Sequence, residues 1–245
     1  MGLTALFYPW GIVLQALAIL HFVRRRPDTY WLWIILIGGG LGALVYIAAE
    51  VLPDVNLVVG SLEGFSRRRR IRLLEQVILD NPAIGNYEEL ADLYLEEGRF
   101  ARARELYDAV IAASRSESLD PFYRRGIAEA ALEDFAAARR DLERVVSKDP
   151  KYDFHRALGL LAHAEGRAGD PAEADALFKR ATDISTLSET YYNYASFLAA
   201  QHRTADARAW AERILAKKPT MPRYLRRRER PWFRKAGALL KRLPA

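Results

Sequence analysis

The sequence predicts an all-α chain in two modules: an N-terminal two-helix transmembrane hairpin and, behind it, an α-solenoid of repeated helix pairs. Three observations carry the prediction. Two uncharged apolar runs, 3–23 and 30–49, are each long enough to cross a hydrocarbon core of ~30 Å. Beyond Gly64, alanine, leucine, arginine and glutamate dominate at helical spacing, and one pattern of small and aromatic residues keeps returning. Charge is segregated: the net +6 comes from arginine clusters flanking an acidic body, and the apolar runs carry none of it. A content of 51% hydrophobic and 28% charged residues excludes a disordered or collagen-like chain. With no cysteine, a disulfide framework, a cysteine-ligated metal and a thiol nucleophile are excluded too.

The hairpin, residues 1–52, comes first. A cleaved signal peptide carries positive charge ahead of its apolar run, but Met1–Trp10 has none and Arg24, Arg25 and Arg26 follow the run. The hairpin is therefore expected to be retained. Pro9 lies near the start of the first span, where a missing N–H costs little. Trp31 and Trp33 open the second span, where amphipathic rings favour the membrane interface. Gly38 and Gly42 form a small-xxx-small pair that would let the two helices approach, although Gly38-Gly39-Gly40 reads equally as a local weak point.

Arg25-Arg26-Pro27-Asp28, Trp31-Leu32-Trp33 and Gly42-Ala43-Leu44-Val45-Tyr46 lead to the basic residues Arg67–Arg70. In that order they resemble the N-terminal membrane segment of cardiolipin synthases of the phospholipase D superfamily. No activity comes with the resemblance. That family's His-x-Lys-x4-Asp motif is absent, because none of His21, His155, His163 and His202 has a lysine two residues on.

A basic juxtamembrane linker, 53–72, precedes the repeats, which span 73–219. Leu73–Pro82 reads as the second helix of a degenerate leading unit, a cap. The first full unit has Tyr87, Leu90, Ala91 and Tyr94, then Gly98, Ala103, Tyr107 and Val110. The second has Phe122, Gly126, Ala138, Leu142, Val145 and a closing Pro150; the third Leu158, Gly159, Ala162, Ala174, Phe178 and Ala181. The fourth has Tyr191, Tyr194, Ala195, Leu198, Ala207, Ala211, Ile214 and a closing Pro219. Small residues at Ala91, Gly126, Gly159 and Ala195 face those at Ala103, Ala138, Ala174 and Ala207, because a large side chain there would hold the paired helices apart. One pair cannot bury its apolar face alone, so stacked pairs make the core. The pattern resembles the tetratricopeptide repeat family, whose unit is a helix-turn-helix. Two departures stand out. Arg125 occupies a usually apolar site, and three extra residues around Gly166–Pro171 predict an irregular pitch.

The resemblance implies that an extended or helical peptide binds the concave face, lined by the first helix of each pair. Those helices offer the candidate groove Glu88, Asp92, Tyr123, Ile127, Arg156, Leu160, Tyr192, Asn193 and Ser196. The Lys/Asn/Arg set that clamps a C-terminal carboxylate in chaperone-binding members is not reproduced, which leaves a mixed aromatic and polar groove.

No catalytic, cofactor or metal site is expected. His155 and His163 lie two helical turns apart, about 12 Å along an axis, too far to share one metal ion. The pairs Glu88-Glu89, Glu96-Glu97 and Glu133-Asp134 read as solvated helix faces, and no phosphate loop or nucleophile elbow occurs. The last segment, 220–245, is basic. Arg226, Arg227, Arg228 and Arg230, with Trp232 and Phe233, are candidates for anionic-lipid contact; the two aromatics read equally as a cap on the last repeat. Nucleic acid is not an expected partner, since no recognition motif accompanies the charge.

Orientation pulls two ways: Arg24–Arg26 favour a cytoplasmic turn, which would export the repeats, and Arg67–Arg72 favour cytoplasmic repeats. The expectation is an integral protein of a bacterial cytoplasmic membrane, repeats inside, acting as a non-catalytic scaffold for a protein partner. The alternative is an accessory subunit of a lipid-modifying or envelope-assembly enzyme.

Overall fold

The structure, a computed structural model, describes residues 10–25, 28–114 and 117–244; for 24, 25 and 50–65 it is taken as backbone only. Leu3–Pro9 of the first apolar run and Arg26 and Pro27 of the turn lie outside the described residues. All regular structure among the described residues is helical, and the chain divides into two units, Met1–Arg70 and Ile71–Ala245.

In the first unit, α1 runs Trp10–Arg25 and α2 Tyr30–Tyr46, followed by a π-helical stretch, Ile47–Val51. Tyr30–Ala49 is long and apolar enough by composition to cross a membrane; the described apolar part of α1, Trp10–Val23, is shorter. The second run is not one straight span. Gly39 adopts φ 54°, ψ −136°, a conformation that residues with a side chain rarely adopt, and the helix reverses there. Gly42 consequently lies so close to the backbone of Ile34 that a Cβ would sit 1.9 Å from its carbonyl oxygen. The rings of Trp31 and Tyr46 are 5.5 Å apart, whereas 15 residues of straight helix span about 22 Å. The expected close approach of two helices at Gly38 and Gly42 is corrected as well. Gly38 has open space around it, and α1 meets α2 at Gly11 and Gly40. Trp31 is buried in this unit's core with Ala18, Ile35, Ala43 and Tyr46, not held at a surface; Trp33 is exposed.

The expected linker is helical: α3 runs Leu52–Asp80 without interruption. Pro53 falls in its first turn, where proline is tolerated, and leucine, arginine and glutamate carry the rest.

In the second unit four antiparallel pairs follow: α4 Ile84–Glu96 with α5 Phe100–Ala113, and α6 Asp120–Ala131 with α7 Phe135–Lys148. Then come α8 Arg156–Ala168 with α9 Pro171–Ile184, and α10 Ser188–Ala200 with α11 Thr204–Ala216. The small residues predicted at the crossings are buried, Ala91, Ala103, Ala138, Ala174, Ala195 and Ala207 completely. Tyr94 and Tyr107 fill the first inter-helix core, Leu142, Val145 and Leu158 the next, Phe178, Tyr194 and Leu198 the third. The insertion in the third unit extends a helix: α8 continues to Ala168, nine residues past Gly159, where α6 stops five past Gly126. The added turn is held at Glu165, which accepts from the Asp170 amide at 2.7 Å and from Arg139 at 3.2 Å. Two further helices close the end, α12 Arg223–Arg228 and α13 Arg230–Arg242. Phe233 and Ala236 of α13 cover Tyr191, Ala211 and Ile214, which the last pair would otherwise leave open to water.

Candidate functional site

The first helices of the four pairs carry charged residues at the repeat spacing, Asp92 on α4, Arg124 on α6, Arg156 on α8 and Glu189 on α10. Neighbours in this row are linked. Arg124 Nη1 pairs with Asp92 at 3.2 Å and its Nε with Asp120 at 2.5 Å. Tyr107 donates to Asp92 at 2.5 Å, and Tyr152 to Asp120 at 2.8 Å. The Tyr152 ring lies 5.0 Å from that of Tyr123, whose hydroxyl donates to Asp153. Arg156 then donates to Tyr123 Oη at 3.2 Å and forks onto Glu189, 2.6 Å from Nε and 3.3 Å from Nη2. The result is a polar ladder along α4, α6, α8 and α10.

Burial and charge act together on its groups. Burial, then the nearby Asp92 and Asp120, raise the Glu88 carboxyl above the usual range, with Arg124 opposing. Burial also raises Asp92, against the Tyr107 hydrogen bond and Arg124. The hydroxyls of Tyr107, Tyr123 and Tyr152 are pushed up by burial and by their carboxylate acceptors, so they remain donors. Burial works against the cations Arg124 and Arg156, but their carboxylate hydrogen bonds outweigh it. Toward α13 the character changes. Lys235 Nζ stands 4.3 Å above the Trp232 ring and 5.4 Å from that of Tyr192, and those two rings are 5.8 Å apart. His163 packs edge-on against Phe135 at 5.5 Å, and burial, helped by Arg167, lowers its pKa to about 4.

Of the groove residues expected from sequence, Asp92, Tyr123 and Arg156 join the ladder, Glu88 lies within the electrostatic reach of Asp92, Asp120 and Arg124, and Tyr192 joins the aromatic end. Leu160 and Asn193 are buried, and Ile127 packs against the core, so these three support the face from beneath. Ser196 has a hydroxyl without a partner. Sequence reasoning missed Asp120, Arg124, Tyr152, Asp153, Glu189 and Lys235. The signal for one of them was present, since Arg124 lies a repeat length before Arg156.

Arg125, the charge at a usually apolar site, is held on the other side of α6. Its Nε and Nη2 fork onto Asp141 at 2.6 and 2.8 Å, and Nη1 reaches Asp108 at 2.7 Å, tying α5, α6 and α7 together. Buried Glu129 lies 3.8 Å from Arg125 Nε, with Oε2 unpartnered; burial and the charge of Asp141 raise its pKa to about 7. In the basic end segment Phe233 is buried against the last pair and Trp232, partly exposed, rests on Tyr192. Arg227, Arg228 and Arg230 are exposed and Arg226 is partly so. Among the described residues no group of three or more His, Asp or Glu is placed to hold a metal ion.

A family model described as tetratricopeptide repeat matches residues 71–120, 123–188 and 161–222. Solved structures with this fold include a thermophilic tetratricopeptide protein of Thermus thermophilus, 17% identical, TM-score 0.55, covering 78% of this chain and 98% of that one. YrrB, described as having an unusual peptide-binding site, is 19% identical with a TM-score of 0.51, over 68% and 87% of the two chains. MamA is 18% identical with a TM-score of 0.51, over 61% and 87%. No curated protein matches the chain.

Proposed function

Because the chain belongs to the tetratricopeptide repeat family, we propose that it is a membrane-anchored scaffold that holds a segment of a protein partner along α4, α6, α8 and α10 and performs no chemistry of its own. The observation that carries this reading is the ladder. It gives one face of the solenoid a row of ordered, partly exposed charged groups braced by the buried tyrosines Tyr107 and Tyr123, acidic toward α4 and aromatic with Lys235 toward α13. Such a row can pair with the backbone and charged side chains of an extended segment without paying to order itself first. Glu88, Asp92, Arg156 and Tyr192 are the proposed contacts, with buried Tyr123, Leu160 and Asn193, the buried Ser196 hydroxyl and Ile127 supporting them from beneath.

Anchoring is supported by how the first unit distributes polarity. Ile12, Leu17, Leu20, Trp33, Ile37 and Leu41 face outward, while Gln15 donates inward to the Ile35 carbonyl and His21 pairs with Tyr46 Oη, each at 2.9 Å. Water-soluble units arrange the opposite; a bilayer favours this one. The basic end segment adds an attraction to anionic headgroups through Arg226, Arg227, Arg228 and Arg230.

The test is affinity purification from detergent-solubilised membranes with mass spectrometry, comparing the natural chain with Arg156→Glu and Tyr192→Ala. A partner recovered with the natural chain and lost with both variants, at unchanged helicity, is the expected result. Equal recovery with all three would remove the groove. In parallel, the chain should stay in the pellet after a carbonate wash, and release would remove the anchor.

A further inference from the structure

We infer that the first unit enters the bilayer from one leaflet and returns to it, so that the Arg24–Arg26 turn and the arginine-rich 67–72 segment lie on the same side of the membrane. The inference rests on the membrane reading above and adds how the anchor is inserted. Its basis is the reversal at Gly39. Tyr30–Gly38 rises about 13 Å and Gly40–Tyr46 about 10 Å, each less than half of a ~30 Å hydrocarbon core. The second segment packs back along the first: Gly42 lies against Ile34 and Ile35, and Tyr46 against Trp31. His21, near the turn, is bonded to Tyr46, at the exit, 2.9 Å apart, so entry and exit of this run lie at one end of the unit. The opposite end is where Gly11 meets Gly40. Ile37 and Leu41, which flank the reversal, are among the most exposed apolar side chains of the unit, as the tip of a wedge in acyl chains requires.

Charge agrees independently. A straight second span puts the two arginine clusters on opposite faces of the membrane, where they oppose each other under the positive-inside rule. With the reversal they act together, both on the cytoplasmic side. The chain then continues into the repeats on the cytoplasmic side.

The natural chain has no cysteine, so single substitutions report cleanly. Full-length Thr29→Cys and Ala136→Cys, both at exposed positions, are labelled with a membrane-impermeant maleimide in right-side-out and inverted vesicles, alongside a carbonate wash. The expected result is labelling of both from the cytoplasmic face only, with the chain retained in the pellet. Labelling from opposite faces overturns the reversal and leaves the anchor standing. Release by carbonate overturns the anchor and this inference with it. A second readout does not depend on sidedness: a short bismaleimide should join the two cysteines of a Trp31→Cys/Tyr46→Cys chain within one molecule. Failure to join them while each single variant labels in detergent overturns the reversal.

Discussion

Removing the charge of Glu129 should make the solenoid more stable at neutral pH and leave it unchanged in acid. The carboxyl is buried, its Oε2 has no partner, and its one cation, Arg125, is committed to Asp141 and Asp108. Its pKa in the folded chain, about 7, lies above the unfolded value near 4.5. Between those values the folded state keeps a proton that the unfolded state has lost, so the contribution of this group to stability falls as pH rises through the window and is gone above it. The full difference corresponds to about 3 kcal/mol, and screening by Arg125 and nearby water reduces it to about 1–2 kcal/mol. Glu129→Gln keeps the shape and offers a donor where the carboxylate adds a second negative charge beside Asp141. Urea unfolding of the fragment 67–245, followed by circular dichroism from pH 4.5 to 8, should show the variant about 1–2 kcal/mol more stable at pH 8 and equal at pH 4.5. Parallel pH profiles for the two proteins would refute the reasoning.

Three further outcomes are expected of the same fragment. His163, lowered by burial to about 4 from 6.5, binds a proton more readily when unfolded, so stability drops as pH falls from 6.5 to 4. His163→Gln should remove about 2 kcal/mol of that acid loss in the same titration, and an unchanged profile would show that the ring is not held neutral by the fold. Ala103→Trp or Ala207→Trp should cost at least ~1–3 kcal/mol of thermal stability, because both sites are completely buried at helix crossings, whereas exposed Glu143→Ala should cost little; equal melting temperatures would sink the repeat register. Glu133 and His202 hold positive φ, 62° and 60°, at the turn position where the first pair has Gly98. Glycine at either should stabilise by about 1 kcal/mol in calorimetry, and destabilisation would mean that their side chains contribute more than the strain removes.

The helix pairs were legible in the sequence because their cause is short-ranged and periodic. A small residue such as Ala91 or Ala103 is needed wherever two helices cross, so it recurs once per pair, and the extra turn of α8 shows as three inserted residues. The cap was half legible: Trp232 and Phe233 are aromatic on an amphipathic helix in water or at a membrane alike, and only the uncovered Tyr191 and Ile214 decide that Phe233 turns inward. All nine candidate groove residues lie on the first helices, as the repeat period implies, but which of them pair was not readable. Arg156 reaches Glu189 and Tyr123 on two different helices, and that choice depends on the offset between stacked pairs. Arg125 looked like a departure from the pattern because its partners, Asp108 and Asp141, lie on two other helices. Gly38-Gly39-Gly40 announced a weak point without saying which glycine would bend or how far. A glycine only permits positive φ; the reversal at Gly39 is selected by the packing of Tyr46 on Trp31 and of Gly42 on Ile34, contacts that exist only once the run has folded back.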